Sequence, residues 1–350
     1  MAQDLQERGA NRQAAPVSFD MDTLVRAMRP TRQADGSYQL VLPVYNTQVS
    51  VKAFPGSHGL TDEELAAALV RVRDLAIDFE MTLSRTRPTS EVSRLNDAKG
   101  AWVELSPRVL DLVDRSRNYC EESGGVFDVT MGAVTPLWNF HEGVLPEPAA
   151  LAEALRHVDW HGIEVDRERG MARLADPAAR IDLGGIAKGY IADALAAELL
   201  ACGCDCAFVN LGGNVLTVGA RPDGNPWRIG VRDPKAPETM RAVVTVVGKS
   251  VVTSGLYERN FTKDGVFYHH ILDPKNGMPV ATDVAGATIV SEKSLDGDGF
   301  STTLFALGVE GALEFVNRHE GLEAIVIDTD ERVHVTEGLA GQVRLVQPSA

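Results

Sequence analysis

The run Asp182-Leu183-Gly184-Gly185-Ile186-Ala187-Lys188-Gly189 puts an acid at the end of an apolar strand, two glycines in the turn and a lysine on the first turn of a helix. Glycines there let the backbone approach a ligand closely, and the unbonded amides of a helix start can receive phosphate oxygens. The spacing is neither G-x-G-x-x-G nor G-x-x-x-x-G-K-[ST], so the fingerprints of dehydrogenases and P-loop enzymes do not apply. Asp298 and Thr302 stand one helical turn apart where the last helix is expected to begin, and their oxygens can share one face. Hard oxygen donors of that kind suit Mg²⁺, which keeps waters and substrate phosphates in its other positions. His270 and Asp273 end a strand before the turn Lys275-Asn276-Gly277, where an imidazole could accept a proton from an attacking hydroxyl or water.

Each segment also has a plain structural reading: a tight turn capped by Asp182, an acidic helix start, and a turn-capping Asp273 beside a half-buried histidine. Asp296-Gly297-Asp298-Gly299 opens like a calcium loop, but the later ligand positions would be Phe300 and Leu307, which excludes an EF-hand. Thr253-Ser254-Gly255 offers hydroxyls at a strand end without a Ser-His-Asp arrangement around them. Cys202, Cys204 and Cys206 alternate with no second Cys/His cluster, and Cys120 stands alone, so a structural role in a reducing compartment is expected.

The whole chain limits its partners. The net charge is -15 with Lys and Arg scattered, and aromatics make up only 6%, so neither a basic footprint nor a stacking surface for nucleic acid is present. An anionic ligand therefore needs local compensation from a metal ion, helix amides or a few placed cations. With 44% hydrophobic and 24% charged residues the composition is that of a globular enzyme. No apolar run approaches the roughly 18 residues needed to span a bilayer, so no transmembrane segment is expected.

The elements that must position these residues follow from periodicity. Residues 1–36 lack it and read as a polar, poorly ordered arm. Alternation over 38–54 predicts a strand pair, and Thr61 with Glu64 forms a capping box before a helix that carries Leu65, Leu69, Val72, Ala76 and Phe79 inward. A second helix starts at Ser106-Pro107 and stops at Gly124-Gly125, delivering Phe127-Asp128-Val129-Thr130. A short helix is expected over 151–158, strands near 162–165 and 172–174, and a helix from the Gly-rich turn to about 200. Strands follow over 207–219, 227–231, 243–247, 266–272 and 284–290, then a helix over about 300–319 and strands at 324–327, 333–336 and 343–346. No linker divides the chain, so residues 37–348 read as one α+β catalytic unit of intertwined lobes.

Taken together and in order, these segments resemble the ApbE family of Mg²⁺-dependent FAD:protein FMN transferases. The resemblance rests on Ser90-Glu91-Val92-Ser93-Arg94-Leu95-Asn96, Phe127-Asp128-Val129-Thr130 with Pro136-Leu137-Trp138, the run from Asp182 to Gly189, and Val209-Asn210-Leu211-Gly212-Gly213-Asn214. It continues through Thr253-Ser254-Gly255 with Tyr257-Glu258-Arg259, His270 to Pro274 with Gly277 and Pro279, and Asp298 to Gly308, and so spans about residues 45 to 310. It implies an ApbE-type, T-fold-like two-lobed unit of mixed sheets and packed helices. It also implies that FAD binds between the lobes, that Mg²⁺ bridges its phosphates, and that a threonine or serine of an acceptor flavoprotein attacks the FMN-side phosphorus, with AMP leaving. By matching positions Asp298, Thr302 and the Gly185 carbonyl are the implied metal ligands, and Val126, Phe127, Asp128, Asp182, Lys188 and Leu272 the implied flavin-nucleotide contacts. His270 is the candidate base, with Asp273 beside it.

Two departures bear on the flavin-facing wall. Tyr45-Asn46-Thr47 stands where the family commonly has Met-Gly-Thr, and Thr86 where it commonly has an aromatic, so Tyr45 is expected to supply the ring missing at Thr86. Ala285-Gly286-Ala287-Thr288 looks like an acceptor sequence, but it reads as a strand whose threonine is locked in a ladder. Water in place of the acceptor hydroxyl would give an FAD pyrophosphatase, and loss of turnover a flavin-binding protein; the sequence leaves both open. Many relatives are exported lipoproteins; the start of this sequence has no basic and apolar leader, so a cytoplasmic location is expected, or a periplasmic one if a leader was removed.

Overall fold

Apolar residues recur at two periods in this chain, and each period settles into its own kind of element. The computed structural model describes residues 21–256 and 259–346. Its helices are α1 (Met21–Ala27), α2 (Asp62–Leu83), α3 (Glu91–Asp97), α4 (Pro107–Glu122), α5 (Pro148–Leu155), α6 (Ala187–Ala201) and α7 (Ser294–Arg318). The first strands are β1 (Thr31–Arg32), β2 (Tyr38–Val44), β3 (Thr47–Ala53), β4 (Val103–Glu104), β5 (Ile163–Asp166), β6 (Met171–Leu174), β7 (Ala207–Leu211) and β8 (Asn214–Val218). They are followed by β9 (Trp227–Arg232), β10 (Met240–Val246), β11 (Ser250–Gly255), β12 (Asn260–Lys263), β13 (Val266–His269), β14 (Val284–Ser291), β15 (Glu323–Asp328), β16 (Val333–Val335) and β17 (Val343–Leu345).

A nine-stranded sheet in the order β1-β2-β3-β7-β8-β11-β14-β15-β16 forms the centre, antiparallel at every pairing. Helices α2, α6 and α7 cover one face of it. The other face packs Val251, Val290, Ile325 and Ile327 against Trp227, Val231, Ala242 and Val244 of the small sheet β17-β10-β9. Every residue of β14 is consequently buried, including Thr288, whose hydroxyl is bonded to that of Thr253 at 2.8 Å. The threonine of the acceptor-like stretch therefore lies inside the sheet. The fold is α+β, with the further sheet β4-β6-β5 and the hairpin β12-β13 outside the central layers. No helix among the described residues is long and apolar enough to cross a membrane.

Local signals account for most element ends. Thr61 and Glu64 make both halves of the capping box on α2. Helix α4 begins with Pro107 and stops before Gly124 and Gly125, whose φ of 66° and 77° suit glycine. Helix α5 begins and ends three residues earlier than expected because Pro148, with its fixed φ, starts it. Part of the expected polar arm is folded: α1 buries Val25, β1 pairs with β2, and the buried Arg73 donates to the Met28 carbonyl at 2.9 Å. Residues 1–20 of that arm lie outside the described residues, as do Tyr257 and Glu258.

Helix α7 departs furthest from expectation, starting at Ser294 rather than near Phe300 and taking in Asp296-Gly297-Asp298-Gly299. Glycines disfavour a helix by about 1 kcal/mol each, so something else must hold this turn. Close packing is one part: a Cβ on Gly299 would sit 2.6 Å from the Tyr119 ring. At the crossing of α6 with α7 a Cβ on Gly189 would sit 2.3 Å from the Ser294 carbonyl oxygen and 2.7 Å from the Leu295 Cα. Both obstacles are backbone and cannot rotate away. Gly189→Ala is therefore expected to destabilise the protein by about 1–3 kcal/mol, read as a lowered denaturant midpoint; a midpoint equal to wild type would show that the helices can separate freely.

Candidate active site

Asp298 is 4% exposed, and its carboxylate is compensated from α6. Oδ1 pairs with the Lys188 ammonium at 2.9 Å, and Oδ2 accepts the Gly189 amide at 2.9 Å. An uncompensated carboxylate there would cost several kcal/mol; here a counter-charge and the positive end of a helix neutralise it. The helix-start amide that the sequence offered to a phosphate thus receives a carboxylate of the protein itself. Lys188 also donates to the Gly184 carbonyl at 3.0 Å, so the ammonium sits between oxygens of both segments. Thr302 follows one turn after Asp298, its Oγ1 3.5 Å from the Ser254 hydroxyl, which is in turn 2.8 Å from that of Ser301.

The turn ahead of α6 is fixed from several directions. Asp182 accepts the Gly184 amide at 2.9 Å and the Thr135 hydroxyl at 3.2 Å, and pairs with Arg85 at 3.1 Å. Its own amide donates to the Val129 carbonyl at 2.7 Å, which sets Phe127-Asp128-Val129 alongside it. The Phe127 ring presses on Gly185, where a Cβ would come within 2.9 Å of it. Asn96, 7% exposed, grips the neighbouring peptide: it accepts the Ile181 amide at 2.7 Å and donates to the Ile181 carbonyl at 2.9 Å. Ser90 caps α3 through the Ser93 amide and donates to the Ser84 carbonyl at 2.5 Å, while Ser93 donates to the Arg85 carbonyl at 3.2 Å. The motif from Ser90 to Asn96 is therefore a clamp that joins the end of α2 to the Gly-rich turn.

His270 follows β13 at half-burial, with its Nδ1 buried and without a hydrogen-bond partner among the described residues. Burial first, then the Arg259 charge, with a smaller push from Lys188, lowers its pKa to about 4. Asp273 spends one carboxylate oxygen on the Lys275 amide at 2.9 Å, and its carbonyl accepts the Gly277 amide at 2.7 Å. No hydrogen bond joins it to His270 among the described residues. Trp138 donates to the Gly277 carbonyl at 3.0 Å, and Leu272 packs against the same aromatic cluster and bridges to Pro279.

The remaining expected contacts are spread around this centre. Asp128 accepts both the amide and the hydroxyl of Thr130, at 2.7 and 2.5 Å, yet burial raises its pKa. Val126 is half-buried at the end of the Gly-Gly stop. Tyr45, at φ 58°, donates its hydroxyl to the Ala76 carbonyl at 2.5 Å, so its ring is anchored on α2. Thr86 is exposed and lines a cavity of about 150 Å³ with Arg85, Ser93, Asn96 and Arg180. Sequence reading assigned no role to Asn96, Arg85 or Ser254; for Asn96 the only signal was its place in the quoted motif. Cys204 and Cys206 are buried free thiols, and no group of three or more His, Cys, Asp or Glu residues among the described residues could hold a metal. The oxygens that Lys188 meets are of a different kind, an Asp298 carboxylate oxygen and the Gly184 carbonyl, with the Thr302 hydroxyl one turn on from Asp298; hard oxygen donors of this sort suit a hard cation.

The family model for the ApbE family matches residues 45–326. The chain belongs to the ApbE family. A FAD:protein FMN transferase of Treponema pallidum is 38% identical over 301 residues, covering 81% of this chain and 83% of that one. One of Klebsiella pneumoniae is 36% identical over 270 residues, covering 76% and 83%. Among solved structures, the ApbE protein of Thermotoga maritima superposes with a TM-score of 0.79 at 28% identity, covering 87% of this chain and 99% of that one. In this ApbE-family chain the Asn96 clamp makes a direct prediction. Asn96→Ala strands a buried amide and a buried carbonyl of Ile181, at about 1–3 kcal/mol each. Chemical unfolding of Asn96→Ala should show a loss on the order of 2–4 kcal/mol; a loss under about 0.5 kcal/mol would mean that water replaces the clamp.

Proposed function

We propose that this protein transfers FMN from FAD to a threonine or serine hydroxyl of an acceptor flavoprotein and releases AMP. The observation that carries the proposal is the meeting of Asp298, Lys188 and the Gly184 carbonyl at the start of α6, and the Lys188 charge contributes to lowering the pKa of His270. Family membership and the printed activity of the relatives support it. In the reaction a bond forms between the acceptor oxygen and the FMN-side phosphorus, the pyrophosphate bond breaks, and AMP leaves with the bridging oxygen. The acceptor's proton passes to His270, whose low pKa keeps the imidazole neutral and open to it. Asp273 acts through the turn that it caps.

Asp298, Thr302 and the Gly185 carbonyl would hold Mg²⁺, which when bound neutralises charge on the phosphate oxygens. Lys188 places a positive charge at the same point from the chain itself, which matters in a protein of net charge -15. Val126, Phe127, Asp128, Asp182 and Leu272, with Tyr45 and Thr86 on the outer wall, are the proposed contacts of the flavin nucleotide. Positioning and charge neutralisation do most of the work in phosphoryl transfer.

Incubation with FAD, Mg²⁺ and a flavoprotein fragment carrying a flavinylation threonine tests this. The fragment should gain the mass of FMN less one water as AMP appears; AMP without the mass gain would make water the acceptor, and FAD that merely co-purifies would end the catalytic reading. Asp298→Ala should lower the rate by on the order of 100-fold or more, and a fully active variant would remove the metal assignment. The base must be neutral to act, so the loss of activity due to His270 protonation should come as pH falls toward about 4, not near the ordinary histidine value of about 6.5. His270→Gln should slow transfer and abolish that limb in a pH–rate profile.

A further inference from the structure

Helix α7 has no cap of its own: Lys293, at its N-cap position, makes no side-chain capping bond. The amides of Ser294 and Leu295 instead donate to the two carboxylate oxygens of Asp193 on α6, at 2.8 and 3.0 Å. The arrangement is reciprocal. Asp298 of α7 accepts the Gly189 amide of α6, and one turn on, Asp193 of α6 accepts the first amides of α7. Ser294 is further tied to Asn214 at 2.6 Å and to Ser250 at 3.0 Å, linking the same point to β8 and β11. An anion at these amides offsets the low helix propensity of Asp-Gly-Asp-Gly and starts the helix early enough to carry Asp298 inward.

We propose that Asp193 is a positioning residue for the reaction: by anchoring the first turn of α7 it holds Asp298 and Thr302 in the place that faces the start of α6. The inference rests on the functional reading above. Asp193 touches none of the groups assigned to metal or substrate. It lines a groove of about 530 Å³ together with Asp111 and Arg115 of α4 and Glu292 and Lys293 ahead of α7, so protons reach it from solvent. Burial raises its pKa to about 6, the Leu295 and Ser294 amides pull it down, Asp296 pushes it up and Lys293 lowers it. Protonation removes one of two acceptors, so the anchor weakens as pH falls through about 6, well above the limb that belongs to His270.

The test uses the full chain with Asp193→Ala and the isosteric Asp193→Asn, which keeps one acceptor. Amide hydrogen exchange of the peptide covering 292–303 should quicken in Asp193→Ala and less so in Asp193→Asn. The Mg²⁺ concentration for half-maximal AMP release should rise on the order of tenfold in Asp193→Ala, with KM for FAD little changed. The wild-type activity limb near pH 6 should vanish in Asp193→Asn. Unchanged exchange across this peptide, or a Mg²⁺ response and pH profile equal to wild type, would overturn the proposal. A wild-type chain that releases no AMP overturns the transferase reading and the kinetic half of this one; exchange then decides the anchoring by itself.

Discussion

A buried carboxylate has to be neutralised where it stands, and in this protein the neutralisation of Asp298 draws two helices and a turn to one point. Lys188 and the Gly189 amide come from α6, while the Asp193 carboxylate returns the same service to α7. Charged groups buried in this way are strongly destabilising when one partner is lost, so the pairing fixes the relative height of the helices. Gly189 follows from it: it admits the α7 backbone, because the carboxylate reaches α6 only if the helices come that close, while Gly299 separately admits the Tyr119 ring of α4.

Around this pair the ordered motifs serve mainly as positioning devices. Asn96 holds the peptide before Asp182, Val129 holds Asp182 itself, and Trp138 holds the turn after His270 through Gly277. Each joins segments far apart in sequence by hydrogen bonds to backbone, which constrain position without placing the side chain at the chemistry. At the tip of β7 and β8 the Asn214 side chain joins distant segments through a side chain instead, accepting the Ser294 hydroxyl. In an acidic chain the positive charge and helix dipole that neutralise the buried Asp298 carboxylate are thus supplied locally.

Most elements were legible because their signals are local. The capping box at Thr61, Pro107 at a helix start, the Gly124-Gly125 stop and the alternation over 38–54 need only neighbours within a few residues. Element ends that depend on distant partners were not legible. The start of α7 was misplaced because Asp-Gly-Asp-Gly favours a turn locally, and the carboxylate that converts it to helix lies 101 residues earlier at Asp193. The chain just after α1 is likewise held from a distance, by Arg73 of α2 on the Met28 carbonyl. Tyr45 shows what side-chain type leaves open: nothing in its own neighbourhood says that its hydroxyl will be anchored on the Ala76 carbonyl.

By itself the sequence determined the α+β class and the membership in the ApbE family, and it offered Asp298, Lys188 and the Gly-rich turn as candidates for phosphate chemistry, because residue type, order and short-range spacing carry that information. Tertiary structure alone decided which of them meet. Asp298 and Lys188 are 110 residues apart, and nothing in either neighbourhood says that one carboxylate will take the other's ammonium and the next amide. Burial creates that demand, and only the packed sheet and helices bury Asp298.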